Sequence, residues 1–217
     1  MAPMLPLVFA AANAGAGAAA VPTGDTTTPI NVLSAAHEHR SGIVMGFDYG
    51  LSLGSASGYP NNSLEIGDPA YYSATGLAAG TYFSLFIMGA FSDYVTAGFW
   101  FGHRSMGNAD WRTSGDGGGL RIEGFPLVAL VPRLQGLGVL AQLGIGSGRL
   151  DATKVPGESN GTQSFGGLGL FHEWSFGHVA GGHFAIGPSL EYDAIWSRPF
   201  EQHGLVATGR LVWYGGP

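Results

Sequence analysis

Three residues in the middle of the chain carry the parts of a hydrolase. His103 and Ser105 share a face if the chain around them is extended, because alternate side chains of a strand leave on the same side. If 106–119 is the loop of a hairpin, the next strand brings His103 opposite Ile122 and beside Glu123. A hydroxyl nucleophile, an imidazole base and a carboxylate are what acyl transfer requires. A polar rim meeting lipid headgroups accounts for the same residues, so catalysis is the alternative reading until geometry is known. A second set matters only if it is enclosed. Asp48, Glu173, Glu191, Asp193 and Arg210 all fall on the small-residue side of alternating segments. Inside a barrel they form a polar network that plugs the lumen and holds strand register, with an ion or proton path as the alternative.

The elements that position these residues have a period of two. Over 184–196, Phe184, Ile186, Pro188, Leu190, Tyr192, Ala194 and Trp196 lie on one side, against Ala185, Gly187, Ser189, Glu191 and Asp193 on the other. Water does not tolerate a broad face of Phe, Ile, Leu, Tyr and Trp over such a length, whereas a bilayer does. Eight such runs are expected, at about 43–53, 81–91, 95–105, 120–131, 137–148, 165–176, 184–196 and 205–214. The fold class they predict is all-β: an eight-stranded antiparallel up-and-down transmembrane β-barrel over residues 41–214.

Composition agrees with that class and removes others. Charged residues make up 11% of the 217, against about 25% in ordinary soluble domains. Mean hydropathy is only +0.18 and no unbroken apolar run is long enough for a spanning helix. There are no cysteines, hence no disulfide or thiolate metal site. Lysine occurs once, at Lys154, and the arginines are scattered, which argues against nucleic acid as a partner. His37-Glu38-His39 offers two imidazoles without a third ligand, so neither a metal nor a cofactor is expected.

Residues 1–20, apolar and ending in Ala18-Ala19-Ala20, read as a signal peptide, and 21–40 as a linker. The runs are joined alternately by long and short connections, as in barrels that turn tightly on the periplasmic side and carry larger loops outside. Segments 54–80, 106–119 and 149–164 are the expected surface loops. The expected partners are the lipid bilayer, lipopolysaccharide and a surface ligand held by these loops, with the protein a monomer.

Strand number, loop alternation and a last strand with Gly209, Val212 and Tyr214 resemble the small outer-membrane barrels typified by the OmpA transmembrane domain, OmpX and OmpW. That resemblance implies an outer-membrane location in a Gram-negative-type cell. It also implies a role among adhesins, anchors, narrow porin-like pores and lipid-modifying enzymes, since fold does not fix function. The spacing of His103 and Ser105 is similar to the H-x-S motif of the lipid A deacylase PagL, which implies a site on the barrel's outer surface. The expected function is structural or surface-interacting, through the loops of a plugged barrel. The alternatives are a lipid A deacylase-like hydrolase at the outer rim and a narrow channel for small apolar solutes.

Overall fold

A computed structural model describes residues 39–59, 66–153 and 159–216. The expected signal peptide and most of the linker lie outside the described residues, as does the unit formed by Met1–Ser34. The other unit, Ala35–Pro217, is built from ten strands: β1 (Ile43–Gly58), β2 (Ser73–Ala74), β3 (Ala78–Ser92), β4 (Val95–Gly107), β5 (Trp111–Gly124), β6 (Leu137–Ala152), β7 (Ser159–His172), β8 (Trp174–Val179), β9 (Gly182–Ser197) and β10 (Phe200–Tyr214). Eight of them are staves of a closed antiparallel up-and-down barrel, with β10 pairing back onto β1. Of the other two, β2 pairs with the end of β1, and β8 continues the course of β7 beyond Glu173 and pairs with β9.

Closure fixes the interior. A line of paired residues leaving β1 at Gly46 passes Phe86, Trp100, Gly119, Gly144, Phe165, Ile195 and Gln202, and re-enters β1 at Ala56, ten residues on. That stagger tilts the strands by roughly 40° and leaves an interior just wide enough for side chains to fill. The faces follow from the alternation. Leu51, Phe99, Leu143 and Leu168 are 65–70% exposed, whereas Asp48, Arg121, Glu123 and Arg210 are at most 1% exposed. The protein is therefore apolar outside and ionic inside. On β1 the outward apolar side chains run from Ile43 to Leu53, which at about 3.3 Å per residue and that tilt spans roughly 25 Å, the height of a lipid-facing belt.

Glycines leave room for the large side chains within. A Cβ at Gly117 would lie 2.7–2.9 Å from the Phe165 ring, one at Gly204 would strike the Arg104 guanidinium, and one at Gly148 the Gln163 amide. Phe165 in turn meets Trp100 edge-on at 6.1 Å. Each of these three glycines answers a long side chain from another stave, so they mark where the interior is full.

The fourth stave differs from expectation. It is Trp111–Gly124, not 120–131, and the loop expected at 106–119 reduces to Asn108, Ala109 and Asp110. Gly115, Gly117, Gly118 and Gly119 look like loop residues but lie in strand β5, paired to β4 and β6. The apolar run Pro126–Val131, in turn, leaves the ladder. Pro126 and Pro132 cannot donate to it, and the segment folds into turns with Val131 N–H donating to Leu127 O at 3.0 Å. The rim at which β1 begins and β10 ends thus has connections of unequal length, including 125–136, and the strict long-short alternation does not hold. The β8–β9 hairpin at that rim closes through Ala180 and Gly181, both at positive φ.

The packing makes a prediction. Gly117→Ala should destabilise the barrel by about 1–3 kcal/mol, because the buried Phe165 ring has to move. Gly89→Ala, with nothing within 4 Å of its Cβ, should be neutral or stabilising. The readout is the urea concentration at which the folded, heat-modifiable gel band disappears. Equal behaviour of the two variants would show that the ring does not fill the space.

Candidate functional site

Two constellations carry chemistry, one inside the barrel and one on its wall. Inside, Arg210 is forked onto Glu123, with Nη1 donating to Oε1 at 2.9 Å and Nη2 to Oε2 at 2.8 Å. Its Nε donates to Glu173 at 2.7 Å, and Tyr214 Oη donates to the other Glu173 oxygen at 2.6 Å. Arg121 extends the string from the opposite side, donating from Nε to Glu123 at 2.8 Å and from Nη1 to Asp48 at 2.9 Å. The Ser84 hydroxyl donates to the same Asp48 oxygen at 3.1 Å. Aromatic rings close over the cations, with the Arg210 guanidinium 4.0 Å from the Phe171 centroid and that of Arg121 4.5 Å from Phe86.

A second cluster, toward the loop rim, is built on neutral donors. Gln142 Nε2 reaches Glu191 at 3.1 Å and Asp193 at 3.3 Å, and the Ser189 hydroxyl donates to Glu191 at 3.2 Å. Arg104 stands 3.9 Å from Asp193 and donates from Nε to Ser52 at 3.2 Å. The five residues expected in the lumen, Asp48, Glu173, Glu191, Asp193 and Arg210, are thus all placed there, divided between the two clusters. The sequence reading had faced several acids with one arginine. Among the described residues, the five buried carboxylates, Glu123 included, face the buried guanidiniums of Arg104, Arg121 and Arg210, while that of Arg40, also buried, donates to the backbone carbonyls of Asp93 and Gln135. At the rim where β1 begins, Arg40 lies 3.6 Å over the Phe125 ring, and its backbone N–H donates to Asp93 at 2.8 Å.

The wall tells a different story from the triad read in the sequence. Glu123 pairs in register with Thr96, seven residues along β4 from His103, which is about 23 Å at the usual rise. It also faces inward and is spent on Arg121 and Arg210. His103, Ser105 and Glu123 therefore form no triad. The error came from centring the hairpin on 106–119 instead of on 108–110, which moved the partner of His103 by six positions, from Asp116 to Ile122. In its place the register puts Asp116 opposite His103, with Nδ1 and Oδ1 2.7 Å apart and both side chains exposed. A carboxylate at Nδ1 accepts a hydrogen bond from Nδ1–H, which favours the tautomer whose lone pair is on Nε2. Ser105 shares the outward face two residues on, opposite Ser114 and Thr81. Alternation from Leu120 and Ile122 would have put Arg121 and Glu123 inside, and alternation from Phe101 and His103 would have placed Arg104. The apolar run after Glu123 obscured the first of these signals.

The other histidines are dispersed. His37 and Glu38 lie outside the described residues, and His39 Nδ1 meets Asp93 at 2.6 Å. His203 Nδ1 is 2.9 Å from the Tyr192 hydroxyl, and His172 packs on Trp174. Among the described residues no three His, Cys, Asp or Glu side chains group as metal ligands would.

Removing Glu123 tests the inner string. Glu123→Ala leaves Arg121 and Arg210 buried without their shared acceptor and should cost about 3–5 kcal/mol in urea unfolding. Asp116→Asn on the exposed wall should cost less than about 1 kcal/mol. A Glu123 variant as stable as the wild type would show that the string does not hold the fold.

No family model matches the chain, and no curated protein matches it. Solved structures similar to it are outer-membrane barrels. The outer membrane protein OprG from Pseudomonas aeruginosa is 8% identical, with a TM-score of 0.40, over 82% of this chain and 98% of that one. Neisserial surface protein A is 15% identical, with a TM-score of 0.42, over 79% and 97%. Ail, the attachment invasion locus protein of Yersinia pestis, solved with the heparin analogue sucrose octasulfate, is 16% identical, with a TM-score of 0.36, over 76% and 98%.

Proposed function

We propose that this chain is a monomeric outer-membrane barrel with a closed lumen, which acts as a structural element and presents its loop rim at the cell surface. The observation that carries this reading is the string Asp48–Arg121–Glu123–Arg210–Glu173, which links opposite staves by hydrogen bonds of 2.7–2.9 Å between fully buried groups. Ion pairs of that kind, packed under aromatic rings, fill the space a channel would need. At the other end, the connection 59–77 is the surface on offer, where the expected 54–80 loop is shortened by the strands on either side. Its described part is braced. Asp68 caps a short turn at Pro69–Tyr71, the Thr75 hydroxyl accepts from Ala56 N–H at 2.9 Å, and Asn108 donates to Thr75 O at 2.7 Å. Tyr71, Tyr72 and Leu77 are left exposed, a contact surface of aromatic and aliphatic groups. Part of the expected loop at 149–164 lies outside the described residues.

In a planar bilayer the wild-type protein should give no resolved conductance steps, and the double variant Glu123→Ala, Arg210→Ala should give them wherever it still folds. Steps from the wild type would replace the plug with the narrow-channel reading.

A second reading is favoured by the His103–Asp116 pair at 2.7 Å: ester hydrolysis of a membrane lipid, with His103 as base, Asp116 in the role first given to Glu123, and Ser105 as nucleophile. On the structural reading, Ser105→Ala leaves the mass spectrum of extracted lipid A unchanged. Recovery of a full-length acyl chain in that variant would move the assignment to the hydrolase.

A further inference from the structure

The lipid-facing wall is not uniform. Over β4, β5, β6 and β7 the outward positions include Gly124 and Ala141 among Val95, Ile122, Val139 and Leu168, and they leave a cavity of about 380 Å³ on the outer surface. That volume is in the range of small-molecule sites, roughly 300–1,000 Å³. The groove lies within the apolar belt, in the half nearer the start of β1 and the end of β10, because Val95 opens β4 and Gly124 closes β5 at that rim.

The turn that joins β5 to β6 lies at the same rim, and its chemistry is that of a membrane interface. Leu130, Val131 and Leu134 are exposed there, and Arg133 stands exposed among them. Among the described residues of this rim, Arg40 is engaged by Asp93 and Gln135, and Asp93 is also met by His39, but Arg133 makes no ion pair or hydrogen bond. A lone cation flanked by greasy residues, in the turn between two strands that line an apolar groove, matches an amphiphile with an anionic head and an alkyl tail.

We propose that this wall binds one glycerophospholipid of the periplasmic leaflet, with an acyl chain in the groove and its phosphate on Arg133. The groove supplies shape and Arg133 supplies charge. The site is independent of whether the lumen conducts or the outer wall hydrolyses lipid.

The full chain, folded in detergent and titrated with phosphatidylglycerol, tests this by native mass spectrometry. The wild type should retain one lipid. Ala141→Phe, which fills the groove from the outside, should lower its affinity at least about tenfold, and Arg133→Gln roughly five- to tenfold. Leu190→Phe, outside the groove on β9, should bind like the wild type, and the heat shift on a gel confirms folding in every variant. Equal retention by wild type and Ala141→Phe, equal loss in Leu190→Phe, or displacement of phosphatidylglycerol by equimolar lipid A would each overturn the site.

Discussion

A backbone in hydrocarbon has no water to bond, so every N–H and C=O must find a partner within the protein. The pairing of β10 onto β1 meets that demand here, and the ten-residue stagger it imposes decides nearly everything else. Width, tilt and the volume within are set together by strand number and stagger. Once the exterior faces lipid, polar groups have one place left to go. The interior has to be filled, and filled with groups that can satisfy one another.

Filling such a space with charge is costly unless the charges pair, because each buried ion gives up its hydration. The inner string answers that with geometry. Glu123 accepts from two arginines on opposite staves, and Arg210 spends its Nε, Nη1 and Nη2 on two carboxylates. Removing any member takes a hydrogen-bond partner from another. The second cluster is looser: Glu191 is held by Gln142 and Ser189, neither of them charged, and Arg104 stands 3.9 Å from Asp193. The shorter, charged contacts are therefore concentrated in the half nearer the start of β1 and the end of β10, where Tyr214 joins the string through Glu173. The loop-rim half carries the weaker contacts and the larger connection, 59–77.

The sequence showed the fold more clearly than the site. In β1 and β9, long outward residues alternate with small or acidic ones, and strand, face and membrane could all be read from that contrast. In β5 the contrast fails. Gly115 and Gly117 face inward because Gln163 and Phe165 occupy the space in front of them, and the residues that demand glycine lie on β7, far along the chain. A rule based on neighbouring positions sees only flexible residues there. The same displacement cost the triad its acid: once β5 began nine residues late, Glu123 came level with His103 and Asp116 vanished into a loop. Site residues depend on register, and register depends on partners that local pattern does not name.

The His103–Asp116 pair lies where the belt ends. Below it on the same face of β4 stand Phe99 and Phe101, and above it Ser105; below Asp116 on β5 stand Ile122 and Leu120, and above it Ser114 and Arg112. The change from apolar to polar thus occurs at one level on both strands, at the point where lipid chains give way to headgroups. A histidine at that boundary can place its ring against hydrocarbon and its nitrogens against water, and a carboxylate beside it fixes which nitrogen stays free. An interfacial girdle and a lipid hydrolase therefore need the same two residues in the same place, and only the position of the Ser105 hydroxyl relative to Nε2 separates them. A polar wall at this level is what the bilayer boundary already requires, and hydrolysis would be an addition to it.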